Sequence, residues 1–132
     1  MTALRIASES GDYISIDRID PSEADIRIAV EVRSRGFTGR IDTWILRQAW
    51  IDFCDQLSVL EELRQGEATV ESVSPKELGL TVRAIDRAGH MAIEGSMGYR
   101  GIKGETLLAF SPMPFDPSTL PALLRYARTL YA

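Results

Sequence analysis

The residues best equipped for chemistry in this chain are its single histidine, His90, and its single cysteine, Cys54. A general base must lie within hydrogen-bond reach of the proton it takes, and a nucleophile needs an activating neighbour. Sequence alone fixes no serine, cysteine or carboxylate partner beside His90, which directly follows the turn glycine Gly89. The reading we favour is a strand-edge histidine whose ring nitrogen bonds the hairpin backbone. Cys54 falls next to an apolar helical stripe, where a lone cysteine behaves as a small buried hydrophobe. With these two residues far apart, no zinc-type ligand set exists, and no aspartate-rich loop has the spacing for calcium or magnesium. We therefore expect no metal, no cofactor and no catalytic residue.

Gly98, Gly101 and Gly104 bracket Arg100 and Lys103 in a run with the superficial look of a phosphate cradle. It matches neither the P-loop nor the dinucleotide fingerprint, and no helix follows to lend its dipole. A hairpin tip is the simpler reading. The best candidate for recognition is a ridge: Ile51, Asp55, Val59 and Glu62 recur at four- and three-residue spacing on one helical face. Mixed aliphatic and acidic side chains there would suit a protein partner. Scattered surface aliphatics, or cover by another element, are the bland alternatives.

The helix that carries this ridge is the element around which the chain is organised. Leu46, Trp50, Phe53, Leu57 and Leu60 form its apolar stripe, and Gly66 is the expected left-handed cap after Gln65. No strong cap opens it, since Arg47 stands where Ser or Asp is preferred. A strand over Phe37–Ile45 runs straight into it, with Ile41, Thr43 and Ile45 on one side and Trp44 on the other. Upstream, Leu4 and Ile6, then Ile14 and Ile16, mark two short strands around a Gly11 turn, and Ile19-Asp20-Pro21-Ser22 breaks regular structure. Ala24, Ile26, Ile28, Val30 and Val32 alternate with polar residues, the pattern of a half-buried antiparallel strand. Ser34-Arg35-Gly36 then reverses the chain without a standard two-residue hairpin signature.

Downstream, strands are expected over Ala68–Glu71, Leu78–Ala84, His90–Gly95, Met97–Arg100 and Glu105–Ser111, with turns at Ser74-Pro75-Lys76 and Asp86–Gly89. Ser118–Tyr131 reads as a second amphipathic helix, capped at Ser118 so that Pro121 falls in the first turn. The expected fold is α+β: a mostly antiparallel β-meander of about eight strands with a central helix and a C-terminal helix, forming one domain over residues 1–132.

The balance of 15 basic and 19 acidic residues gives a net charge of −4, which argues against direct nucleic-acid binding. No apolar run approaches the ~20 residues that span a bilayer. The start, Met1–Ile6, has no apolar signal core and reads as a first strand. A single cysteine fits a reducing compartment, so a cytoplasmic location is expected.

Gly36-Phe37-x-Gly39, Trp44, the helix with Phe53, Leu57 and Leu60, Gly66-Glu67-Ala68 before a strand ending Glu71-Ser72, and Asp86-x-x-Gly89-His90 occur in that order. Together they resemble the WapI-type immunity proteins of bacterial contact-dependent toxin systems. That resemblance implies a non-enzymatic protein which binds and neutralises a cognate protein toxin, in the best-known members a nuclease acting on transfer RNA. The matching residues read as scaffold, so none is carried over as a toxin contact. Two other readings stay open. One is a small-molecule binding or enzymatic domain with a pocket between helix and sheet lined by His90 or Arg100. The other is a homo-oligomer with Ile51 and Val59 at the subunit interface.

Overall fold

Strict alternation along the chain produces strands whose apolar faces all turn toward one core. The computed structural model describes residues 4–20, 24–102 and 104–131, though not the side chains of Asp20, Arg100 and Ser111. The expected Met1–Ala3 start, the Pro21-Ser22 break and the Arg100 and Lys103 side chains lie outside the described residues. The elements run β1 (Leu4–Ala7), β2 (Tyr13–Asp20), β3 (Ile26–Ser34), β4 (Phe37–Ile45), α1 (Arg47–Leu63), β5 (Glu67–Glu71), β6 (Leu78–Ala84), β7 (Met91–Gly101) and β8 (Gly104–Phe115). A 3-10 turn over Pro117–Thr119 then leads into α2 (Leu120–Thr129).

The fold is α+β, and every strand pair is antiparallel. The strands divide into two four-stranded meanders, β1-β2-β3-β4 and β5-β6-β7-β8, with α1 as the connection between them. One hydrophobic cluster takes residues from both sheets and both helices. On β3, Ile26, Ile28, Val30 and Val32 are fully buried, while Ala24 is exposed and precedes the strand. Trp50, Phe53, Leu57 and Leu60 bring α1 into the same core.

Several local expectations are corrected by tertiary context. Ser34 pairs with Phe37, so Arg35-Gly36 is a two-residue hairpin loop after all. Both loop residues have positive φ, 53° and 86°, the type I′ signature that matches strand twist. Arg35 tolerates this strained position with its N–H donating to the Asp12 carboxylate of the neighbouring hairpin at 3.1 Å. Leu46 is the N-cap of α1 and half exposed rather than part of the buried stripe. The helix lacks a local side-chain cap, as its sequence suggests, and the Asp25 carboxylate accepts the Arg47 N–H from β3's approach at 3.3 Å. Arg64, not Gly66, takes the left-handed cap position, with φ 57° and its N–H donating to Leu60 O. At the far end Asp116, not Ser118, is the capping side chain: it accepts the Ser118 N–H and closes a 3-10 turn, which leaves Pro121 harmlessly in the first turn of α2.

Candidate functional site

The outward face of α1 is positioned from three directions. Its buried stripe fixes its rotation. The Gln56 side-chain oxygen accepts the Thr69 N–H at 2.9 Å, which ties the helix along the edge strand β5. At the other flank, the buried Trp50 Nε1–H donates to the Ala127 carbonyl of α2 at 2.9 Å.

Of the four ridge residues, Asp55 and Val59 are brought together at a shallow depression of about 330 Å³ between α1 and the Gln65-Gly66-Glu67 approach to β5. Ile51 and Glu62 do not line it. Ile51 is half-buried one turn away, and Glu62 is exposed. Asp55 faces Arg128 of α2, with Nη1 3.4 Å from Oδ1, both side chains well exposed. Such a pair contributes little to stability. The ridge also has an apolar member that sequence reasoning passed over. Leu63, four residues after Val59, is 60 % exposed, and Val59 itself is 52 % exposed. Their i, i+4 spacing was the available signal.

His90 does have a carboxylate partner, contrary to expectation. Its Nδ1 lies 2.6 Å from Asp86 Oδ2, while the other Asp86 oxygen accepts the backbone N–H groups of Ala88 and His90. The His90 contact and these amides hold the Asp86 carboxyl below its usual range. Stability linked to that shift is present above the unfolded carboxylate pKa and is lost as pH falls through the folded value. The pair is exposed at the β6–β7 hairpin and shapes that turn, with Gly89 at φ 87°.

Cys54 is fully buried, and burial pushes its thiol up to about 11. Native protein at pH 8 is expected to react with a thiol reagent about a hundredfold more slowly than urea-unfolded protein, read as released chromophore. Equal rates would show that the α1 core is open. Because the folded pKa is raised, the associated stability is full below the unfolded thiol pKa and is lost as pH rises toward the folded one.

The ligand pocket considered between helix and sheet is filled. The space left among Leu4, Ile16, Phe53, Leu80, Ile93 and Leu120 is about 20 Å³, room for a water at most. A larger cleft of about 630 Å³ opens elsewhere, between β4 and the β7–β8 hairpin. Arg40, Ile41 and Asp42 border one side, and Met97, Tyr99 and Leu108 the other; His90 is not among its lining residues. Nothing in the sequence pattern announces it, because it joins segments far apart in the chain. Residues 98–101 and Gly104 belong to the β7–β8 hairpin, with Gly98 and Tyr99 lining the cleft and Tyr99 and Ile102 exposed. Among the described residues no three His, Cys, Asp or Glu side chains gather as a metal site, and no helix is long and apolar enough to cross a membrane.

Comparison with known proteins gives one family match: the model of the immunity protein WapI-like family fits residues 5–132. No curated protein and no solved structure matches the chain.

Proposed function

The chain belongs to the immunity protein WapI-like family, and from that premise we propose that it neutralises one cognate protein toxin by binding it, without chemistry of its own. The observation carrying this reading is the extent of the match, which runs from β1 through α2 and so involves the whole fold. In this proposal residues 1–132 act as one domain in the cytoplasm of the toxin-producing cell.

The outward α1 face is the surface we assign to the toxin, with Ile51, Asp55, Val59 and Glu62 as contacts. Three physical features support it. Val59 and Leu63 expose apolar area beside a depression into which a partner side chain can insert. Asp52, Asp55, Glu62 and Glu67 surround that area with exposed carboxylates. A basic surface, such as that of a nuclease, would be steered toward such a rim.

Co-expression with the toxin encoded in the neighbouring reading frame tests this. The wild-type chain is expected to restore growth, and Val59→Glu is expected to weaken binding about tenfold by burying a charge at the contact. Both proteins expressed in soluble form with no protection would refute the reading. Full protection by Val59→Glu would move the contact surface away from α1. Light scattering of the same variant separates the homo-oligomer reading, in which Val59→Glu would convert a dimer to a monomer.

A further inference from the structure

Among the described residues the two meanders leave four sheet edges, and three are shortened, covered or partly guarded. The edge of β5 is covered by α1 through Gln56 and Thr69. On β8, Pro112 and Pro114 remove free N–H groups from the end of the strand nearest Phe115. The four-residue β1 is short and packs against α2. β4 is nine residues long, has neither proline nor lysine, and is the edge with the large cleft beside it.

The phase of its hydrogen bonds follows from its turn. A two-residue loop makes Ser34 and Phe37 a bonded pair, so Gly39, Ile41 and Thr43 bond back to β3. Thr38, Arg40 and Asp42 then direct their N–H and C=O groups outward. Trp44 belongs to the same phase, and its carbonyl accepts the Val73 N–H at 2.8 Å, which confirms the direction. Among the described residues nothing pairs with the outward groups of Thr38, Arg40 and Asp42. Arg40 and Asp42 border the 630 Å³ cleft.

The cleft has the form of a vacant strand position over β7–β8. A Cβ at Gly39 would lie 2.8 Å from Leu108 Cδ2 and 3.0 Å from Met97 Sδ, so β4 already rests on that hairpin. The floor continues past β4 as Met97, Tyr99, Thr106 and Leu108.

We propose that this cleft binds an extended segment of the toxin as a fifth strand on β4, with apolar side chains turned onto Met97 and Leu108 and a lysine or arginine beside Asp42. Charge selects the occupant. Arg40 stands opposite Glu31 on β3, but Asp42 stands opposite Ala29 and meets no opposite charge there. Glu77 adds a second carboxylate to the lining. An extended backbone matches the spacing of the alternating N–H and C=O groups, and a base on it completes the pairing. A second copy of the chain is the poorer occupant, because its own β7–β8 hairpin would fill the space beneath its β4. The identity of the partner rests on the toxin-binding reading; the edge site does not.

The test uses the isotopically labelled full chain and a short synthetic peptide alternating valine and lysine, followed by amide spectra. Binding is expected to shift Thr38, Arg40 and Asp42 together with Met97 and Tyr99. A valine–glutamate peptide is expected to bind about fivefold more weakly, and Asp42→Lys to invert that preference. Arg40→Pro, which removes an outward N–H that β3 does not use, is expected to abolish binding while the core signals stay in place. Shifts confined to other surfaces, or equal binding of both peptides, would overturn the proposal. So would β4 signals that change with chain concentration alone, which would identify a second copy. Inactivated toxin forms the second arm, read as amide exchange. Toxin that binds yet leaves β4 unprotected overturns the strand site and spares the immunity function. A chain that selects the lysine peptide but ignores the toxin does the reverse.

Discussion

Replacing Trp50 with alanine is expected to cost about 3–5 kcal/mol, the range for truncating a fully buried aromatic. The indole is 0 % exposed, and its ring centroid lies 5.3 Å from that of Phe53 at a tilted angle of 52°. Two losses combine. The core around α1 gains a cavity that close-packed neighbours fill only in part. The Ala127 carbonyl of α2 also loses the Nε1–H donor at 2.9 Å and keeps the Leu130 N–H at 3.1 Å, so this loss is that of one hydrogen bond, about 0.5–1.5 kcal/mol. Trp50→Phe separates the terms, since it keeps most of the ring volume and removes the donor. It is expected to lose about 1–2 kcal/mol, from one hydrogen bond and the smaller ring. Urea unfolding of both variants reads the difference. A cost below ~1 kcal/mol for Trp50→Ala would mean that the α1–α2 contact does not hold the core together. Because α1 carries the ridge and α2 supplies Arg128 opposite Asp55, the same substitution is expected to loosen the candidate surface without touching it.

Gly95→Ala carries the second large expected effect, about 3 kcal/mol or more, through overpacking that backbone must absorb. A Cβ at this position would lie 2.1 Å from the Gly79 carbonyl oxygen and 3.2 Å from Leu80 Cα on the adjacent strand. Those are backbone atoms of β6, so no side chain can swing aside. Gly95 also sits where the β7–β8 register shifts, between Ile93 and Gly95. The irregularity re-aims the distal half of β7 and β8, including Met97, Tyr99 and Leu108 beneath β4. Gly79→Ala is the control, since a Cβ there meets nothing within 4 Å. A Gly95→Ala protein as stable as the wild type would show that the strands separate easily at this point. An intact core with altered β4-cleft signals would instead locate the effect in the distal hairpin.

Much of the architecture is legible residue by residue. The alternation of Ile26, Ile28, Val30 and Val32 marks β3, and the spacing of Trp50, Phe53, Leu57 and Leu60 marks the buried stripe of α1. Both are local properties, since the side-chain direction of a strand or helix repeats every two or 3.6 residues whatever lies beyond. Legibility fails where a distant group decides. Arg35 is an unlikely residue for positive φ, and its turn is supported by Asp12 from another hairpin. Asp116 and Ser118 compete for one cap, and the chain resolves them with a 3-10 turn before α2. Gly95 looks like the end of one strand and the start of another, yet β7 runs unbroken from Met91 to Gly101 because β8 shifts register to accommodate it.

The candidate surfaces divide in the same way. Helical spacing by itself puts Ile51, Asp55, Val59 and Glu62 on one face, since that requires only 100° per residue. Only the tertiary structure sets Asp55 against Arg128, half-covers Ile51 and leaves Val59 and Leu63 open. The β4 edge and its cleft exist solely at that level. Sequence determines that Phe37–Ile45 is a strand; whether its second edge is paired depends on which segments the packed sheets bring beside it. Here α1 covers β5 and prolines guard the end of β8, while β4 rests on Met97 and Leu108 with the outward groups of Thr38, Arg40 and Asp42 unclaimed among the described residues. Periodicity is written within one segment, whereas an open edge is defined by the absence of a neighbour, and neighbours are assigned only when the whole chain has folded.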